Sequence, residues 1–318
     1  MKFLAAGGIK GNRALYAAVW LFLIVLFIYW IGNLAYFYVK FGFSTEKIES
    51  FLFGDPEFPE RISISFLLEN LHSGLFLFGM LFLTLASLIF QTDYHIKAKA
   101  ALAGSLFLSG TADLFADFLI LLAGREASVL KTLLFLFYEA SLIGSIAAIA
   151  VFLLKKEGDR TNGNGTANHN GRLRGIMLFA LINLLFVAVN AALFAKKIGF
   201  SITDIKRYYA GSPGDFMRPK SLEGLLETAN VHFLAVSLYL LTLTHFLSMI
   251  EFRGRGLLTA ALFSSALVNI SAGFLVRYAS TEFAFIKLSS FLLFNALLLF
   301  SSALLTNFRR PSVSTPQS

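Results

Sequence analysis

Residues 14–38 read ALYAAVWLFLIVLFIYWIGNLAYFY. No charged side chain interrupts the run, and it exceeds the ~20 residues that carry a helix across about 30 Å of hydrocarbon. Its apolar positions are continuous. A membrane barrel strand would instead be a short segment alternating apolar and polar residues. Lipid leaves only helices and closed barrels to satisfy the backbone, so the run reads as a helix. It is longer than the apolar core of a signal peptide, and no small-residue cleavage pattern follows it. It is therefore expected to be retained.

Working outward, eight stretches of this kind occur: Ala14 to Tyr38, Ile62 to Phe90, Ala98 to Ala123, Ser128 to Leu154, Gly175 to Ala195, Leu222 to Ile250, Leu257 to Tyr278 and Phe283 to Thr306. A composition 57% hydrophobic and 14% charged, with a mean hydropathy of +0.71, belongs to a polytopic membrane protein and not to a soluble core. The expected fold class is thus an all-α integral membrane protein with eight transmembrane helices. Cysteine is absent, which excludes disulfides, thiolate zinc sites, iron–sulfur clusters and covalently attached haem.

The two halves of the chain repeat one another. Gly42-Phe43-Ser44, Gly54, Pro56, Arg61 and Leu67-Leu68-Glu69 recur in order as Gly199-Phe200-Ser201, Gly211, Pro213, Arg218 and Leu225-Leu226-Glu227. Asn33 meets Asn190, Lys131 meets Lys287 and Ala140 meets Ala296, all at offsets between 156 and 158. This pattern predicts a tandem, parallel repeat of two four-helix units. The expected divisions are residues 1–155 for the first, 156–172 for a flexible Gly/Asn-rich linker, 173–308 for the second, and 309–318 for a disordered tail.

The loops after the first and fifth spans each carry a short helix signal. Ser44 or Ser201 stands as N-cap, an acid lies in the first turn, and Gly54 or Gly211 is the stop. The apolar faces of these helices are expected to lie on the membrane surface. Lys and Arg divide 14 to 13 between the two sides, so the positive-inside rule barely orients the chain. The basic ends and the acidic first loop favour cytoplasmic termini in a plasma or inner membrane, whereas the basic loop with Lys206, Arg207, Arg218 and Lys220 favours the reverse. The net charge of +8 fits headgroup contact, and nothing accompanying it points to nucleic acid.

Ionisable residues inside spans are costly and are functional candidates by default. Asn33, Glu69, His72, Asp113, Asp117 and Glu139 all fall roughly 9 to 17 Å from one membrane face at 1.5 Å per helical residue. Glu69 and His72 are spaced i, i+3, and Asp113 and Asp117 i, i+4, so each pair shares a helix face. Acids gathered in a low dielectric cannot all stay ionised. They must hold protons, bind a cation or find a base. Lys131 and Arg61 are expected nearer the surface, although a long side chain could reach inward. The second half keeps a weaker counterpart in Glu227, His232, Asn269 and Asn295, where amides replace two acids.

Three functions fit this layer. The first is binding or transport of a cation or proton at Glu69, His72, Asp113, Asp117 and Glu139, with His72 and Glu69 as ligands if a divalent metal is held. The second is a b-type haem ligated by His72 and His232. The third is a structural or assembly subunit in which the polar groups serve as interhelical hydrogen bonds. No hydrolase or nucleotide-binding motif occurs, so an enzyme is not expected.

Overall fold

The computed structural model describes residues 8–55, 57, 60–155, 169–250 and 252–306. Ten helices carry the architecture: α1 (Arg13–Phe41), α2 (Thr45–Phe53), α3 (Ile64–Gln91), α4 (Ile96–Ala123), α5 (Val129–Leu154), α6 (His169–Lys197), α7 (Ile202–Ala210), α8 (Leu222–Ser248), α9 (Arg255–Phe274) and α10 (Ala284–Thr306). Among the described residues there is no strand, and an isolated bridge joins Ser212 and Met217. The expectation of an all-helical membrane protein is met.

Seven helical segments among the described residues are long and apolar enough to cross a membrane: Arg13–Phe41, Ile96–Ala123, Arg125–Leu154, Phe179–Lys197, Leu222–Ser248, Arg255–Ala279 and Thr281–Thr306. The remaining long helix, α3, has 28 residues, of which Leu77–Gln91 form its described apolar stretch. α6 begins at His169, inside the stretch expected to be linker. The rest of that linker, 156–168, and the tail lie outside the described residues.

The chain forms two compact units. One comprises Met1–Lys10, Val19–Thr161 and Ser221–Tyr239, and the other Gly11–Ala18, Asn162–Lys220 and Leu240–Ser318. The first part of α8, expected to belong with the second half, is thus a member of the first unit.

In the first unit, α4 packs on both α3 and α5. Small residues permit the close approach that drives helix association in lipid. The Phe78 ring fills the place where a Cβ on Gly110 would stand, and Leu114 Cδ2 lies 2.7 Å from the equivalent point on Gly74. α1 joins α5 through cofacial Phe37 and Phe135, whose centroids are 4.0 Å apart at 11°.

α2 starts where Ser44 accepts a hydrogen bond from Lys47 N at 3.4 Å, and it stops at Gly54, whose φ of 75° suits glycine. Its apolar face is covered by protein and not by lipid headgroups, which corrects the expectation for this helix. Ile48, Leu52 and Phe53 are buried in one cluster with Phe37, Phe41, Ile120 and Phe135. Each such side chain contributes about 1.5–3 kcal/mol by leaving water.

In the second unit, α10 packs on α9, α6 and α7. α7 opens with a reciprocal cap, Asp204 N donating to Ser201 Oγ at 3.0 Å and Ser201 N to Asp204 Oδ2 at 3.4 Å. It buries Ile205 and Tyr209, and it ends at Gly211 with φ 83°. Phe194 and Phe291 stack at 3.8 Å and 20°.

Candidate functional site

Asp113 and Asp117 stand one turn apart on α4, and α5 brings Lys131 to face them. The Lys131 ammonium lies 3.1 Å from Asp117 Oδ1 and 3.8 Å from Asp113 Oδ1, and it donates to the Asp113 carbonyl at 3.5 Å. The three side chains are between 14% and 24% exposed. The acids therefore have a basic partner, through the inward reach that a long side chain allows. Lys131 lies in the first turn of α5, and its long stem carries the ammonium to the two acids on α4. Fully ionised, the cluster carries one negative charge more than positive. One proton or one monovalent cation would balance it.

Glu139 does not join that cluster. It is 2% exposed, and it accepts a hydrogen bond from Asn33 Nδ2 at one carboxylate oxygen. Among the described residues its other oxygen has no hydrogen-bond partner, while its backbone carbonyl accepts from Trp30 Nε1 at 3.0 Å. Among the described residues the first-half layer thus forms two centres, Asp113/Asp117/Lys131 and Asn33/Glu139. Of Glu69 and His72 only the backbone on α3 is described, so their side chains lie outside the described residues. Among the described residues no group of three or more His, Asp or Glu could hold a metal ion.

Two cavities flank the lysine centre, both lined entirely by the first unit. One, of about 170 Å³, is bordered by Asn70, Asp113, Asp117 and Lys131 together with leucines and Phe118. The other, of about 280 Å³, lies among α1, α3, α4, α5 and α8, with Asn33, Lys40, Tyr36, Glu227 and Asn230 on its wall. Asn70, Asp113 and Leu114 border both. Glu227 is exposed, and it meets the first-unit residues on this wall and not a second-half site of its own.

The second unit holds a charge-poor version of the same contacts. Lys287 donates to the Asn269 carbonyl at 2.7 Å, and among the described residues no carboxylate pairs with it. Asn190 Nδ2 donates to Asn295 Oδ1 at 3.1 Å, and Asn295 Nδ2 to Phe291 O at 2.8 Å. Asn183, fully buried, donates to Leu298 O at 2.9 Å and to Ser302 Oγ at 2.6 Å. His232 is exposed, and its Nδ1 donates to the Thr228 carbonyl 2.7 Å away on its own helix. Nothing among the described residues brings a second histidine toward it.

Reading depth alone missed Lys131, Lys40, Asn230 and the aromatic wall. Lys131 did leave a signal, because it recurs as Lys287 at the repeat offset and a lysine inside a span needs a reason. A family model described as Aq_1264_TM, a transmembrane helical domain, matches residues 42–160 and 199–309. No curated protein and no solved structure matches the chain.

Proposed function

The chain belongs to the Aq_1264_TM family of transmembrane helical domains, and from that premise we propose that it binds or passes a proton or small cation within the membrane. The site is centred on Asp113, Asp117 and Lys131, with Glu69, His72 and Glu139 in the same layer. The observation that carries this reading is the shared ammonium. Two carboxylates inside a span compete for Lys131 beside a cavity, which leaves one charge to be met by a mobile cation.

The frame for this site is eight spans, α3 being the eighth, in two tandem four-helix repeats. The matched stretches begin 157 residues apart, the offset of the recurring Gly-Phe-Ser. Lys131 and Lys287 each donate to a carbonyl 18 residues earlier, and Phe37/Phe135 and Phe194/Phe291 form like-placed stacks. These coincidences support duplication with the charge kept in one copy. The termini are proposed to face the cytoplasm.

Proteoliposomes loaded with a pH indicator, and then with indicators for sodium or potassium, test the reading. Asp113→Asn is expected to reduce flux at least about tenfold, on the scale of one lost charge interaction. Its unfolding midpoint should stay near wild type. Full flux in the Asp113→Asn, Asp117→Asn double variant would overturn the proposal.

A second reading is favoured for the second half by its neutral contacts. Asn183, Asn190, Asn295 and Ser302 tie α6 to α10, which suits a packing role. Substituting these amides should lower the unfolding temperature and leave flux per folded molecule unchanged.

A further inference from the structure

The larger cavity holds two opposite charges that do not meet. Lys40, next to the last residue of α1, lines it, and so does Glu227 in the second turn of α8. Among the described residues Lys40 has no carboxylate partner. Its ammonium donates to Tyr36 Oη at 3.1 Å and lies 4.3 Å from the Phe51 ring centroid, a cation held by an aromatic face and a phenol. Glu227 is exposed at the mouth.

One turn on from Glu227, Asn230 is 94% buried, and among the described residues neither its amide nitrogen nor its oxygen has a hydrogen-bond partner. The amide fits there because Gly32 has no side chain; a Cβ on Gly32 would run into Asn230 Oδ1. A buried amide with neither bond made is costly. It lines a cavity where a bound molecule could supply a donor and an acceptor together. Around it the wall mixes Leu77, Phe78 and Leu234 with Asn33, Asn70 and Asp113. The wall therefore offers two separated opposite charges, amides and hydrocarbon within one cavity.

We propose that this cavity binds a small zwitterion, an ammonium and an anionic oxygen group carried a few atoms apart. Its anionic group is met by Lys40, its ammonium by Glu227, and its remaining polar atoms by Asn230. A free amino acid and the headgroup of phosphatidylethanolamine both present this chemistry. The site goes beyond the proton or cation reading, because neither charge that recognises the ligand belongs to the Lys131 cluster.

The test is calorimetric titration of the full-length protein in uncharged detergent with O-phosphoethanolamine and with L-leucine. Ethylamine and propionate serve as singly charged controls, and the unfolding midpoint is followed in parallel. At least one zwitterion is expected to bind saturably and raise the midpoint where neither control does. Lys40→Met and Glu227→Gln should each weaken binding about tenfold or more. Gly32→Ala, which displaces Asn230 and keeps both charges, should also weaken it. Glu227 is exposed, so Glu227→Gln keeps the test available if another variant does not fold. Asp117→Asn, at a residue that borders the smaller cavity and not this one, should bind as wild type even where flux is lost, which separates failure of this site from failure of the transport reading. In nanodiscs of phosphatidylglycerol, competition by added phosphatidylethanolamine marks a lipid headgroup site, and indifference to it marks a free zwitterion. No saturable binding of either zwitterion to folded protein, equal binding of the singly charged controls, or unchanged affinity in the charge variants would each overturn the proposal.

Discussion

Lys131 illustrates why depth along a helix is a poor guide for long side chains. Its backbone position reads as near the membrane face, yet its ammonium ends 3.1 Å from Asp117. The acids were legible from their spacing, because i, i+4 fixes a shared face whatever the side chain does. Their partner was not, because the stem's direction depends on what it finds to bond. Removing that partner leaves carboxylates stranded, so Lys131→Met is expected to cost about 3–5 kcal/mol in unfolding experiments in detergent. Adding Asp113→Asn and Asp117→Asn should recover most of it. Lys287→Met strands no carboxylate and is expected to be near neutral in the same assay. Outside the spans, Ser44 donates to Glu46, and that hydrogen bond holds the Glu46 carboxyl below its usual range. A carboxyl lowered on folding contributes stability that is present above its unfolded value and is lost as pH falls through its folded one. Ser44→Ala should therefore flatten the acid side of the curve of unfolding midpoint against pH.

Helices were legible to within a few residues where caps and breaks are chemical. Ser44, Ser201, Gly54 and Gly211 perform the expected tasks in α2 and α7. What covers an amphipathic face was not legible, because an apolar stripe fits lipid and protein equally well. The structure resolves that for α2 by burying Ile48 and Leu52 against α1, α4 and α5. Leu52→Ala is accordingly expected to cost about 2–5 kcal/mol, the scale for a fully buried leucine, whereas a residue resting on headgroups would cost far less. The contact between α3 and α4 makes the opposite demand. Phe78 occupies the space a larger residue at 110 would need, so Gly110→Val should destabilise by about 1–3 kcal/mol through overpacking. Thermal unfolding of both variants in one detergent checks both effects.

The whole molecule is read most directly through its topology, and the absence of native cysteine makes that measurement clean. If α3 spans, Lys47→Cys and Thr203→Cys should label from one side of the membrane, and His95→Cys and Arg253→Cys from the other. All four positions are exposed. Labelling of residues 47 and 95 from the same side would remove α3 from the spans and with it the parallel repeat. Membrane class followed from the sequence, because continuous apolar runs have one solution in lipid. The placement of Ser221–Tyr239 in the first unit did not, since tertiary membership leaves no trace in hydropathy. The Trp30 bond to the Glu139 carbonyl carries one more consequence. Both tryptophans of the chain, Trp20 and Trp30, sit on α1 within the first unit. Light absorbed by indole alone is therefore emitted from that unit, and the second is dark at those wavelengths. With Trp20 replaced by phenylalanine, the colour and lifetime of a single lamp would report the polarity around Glu139 in the intact protein, without any attached dye.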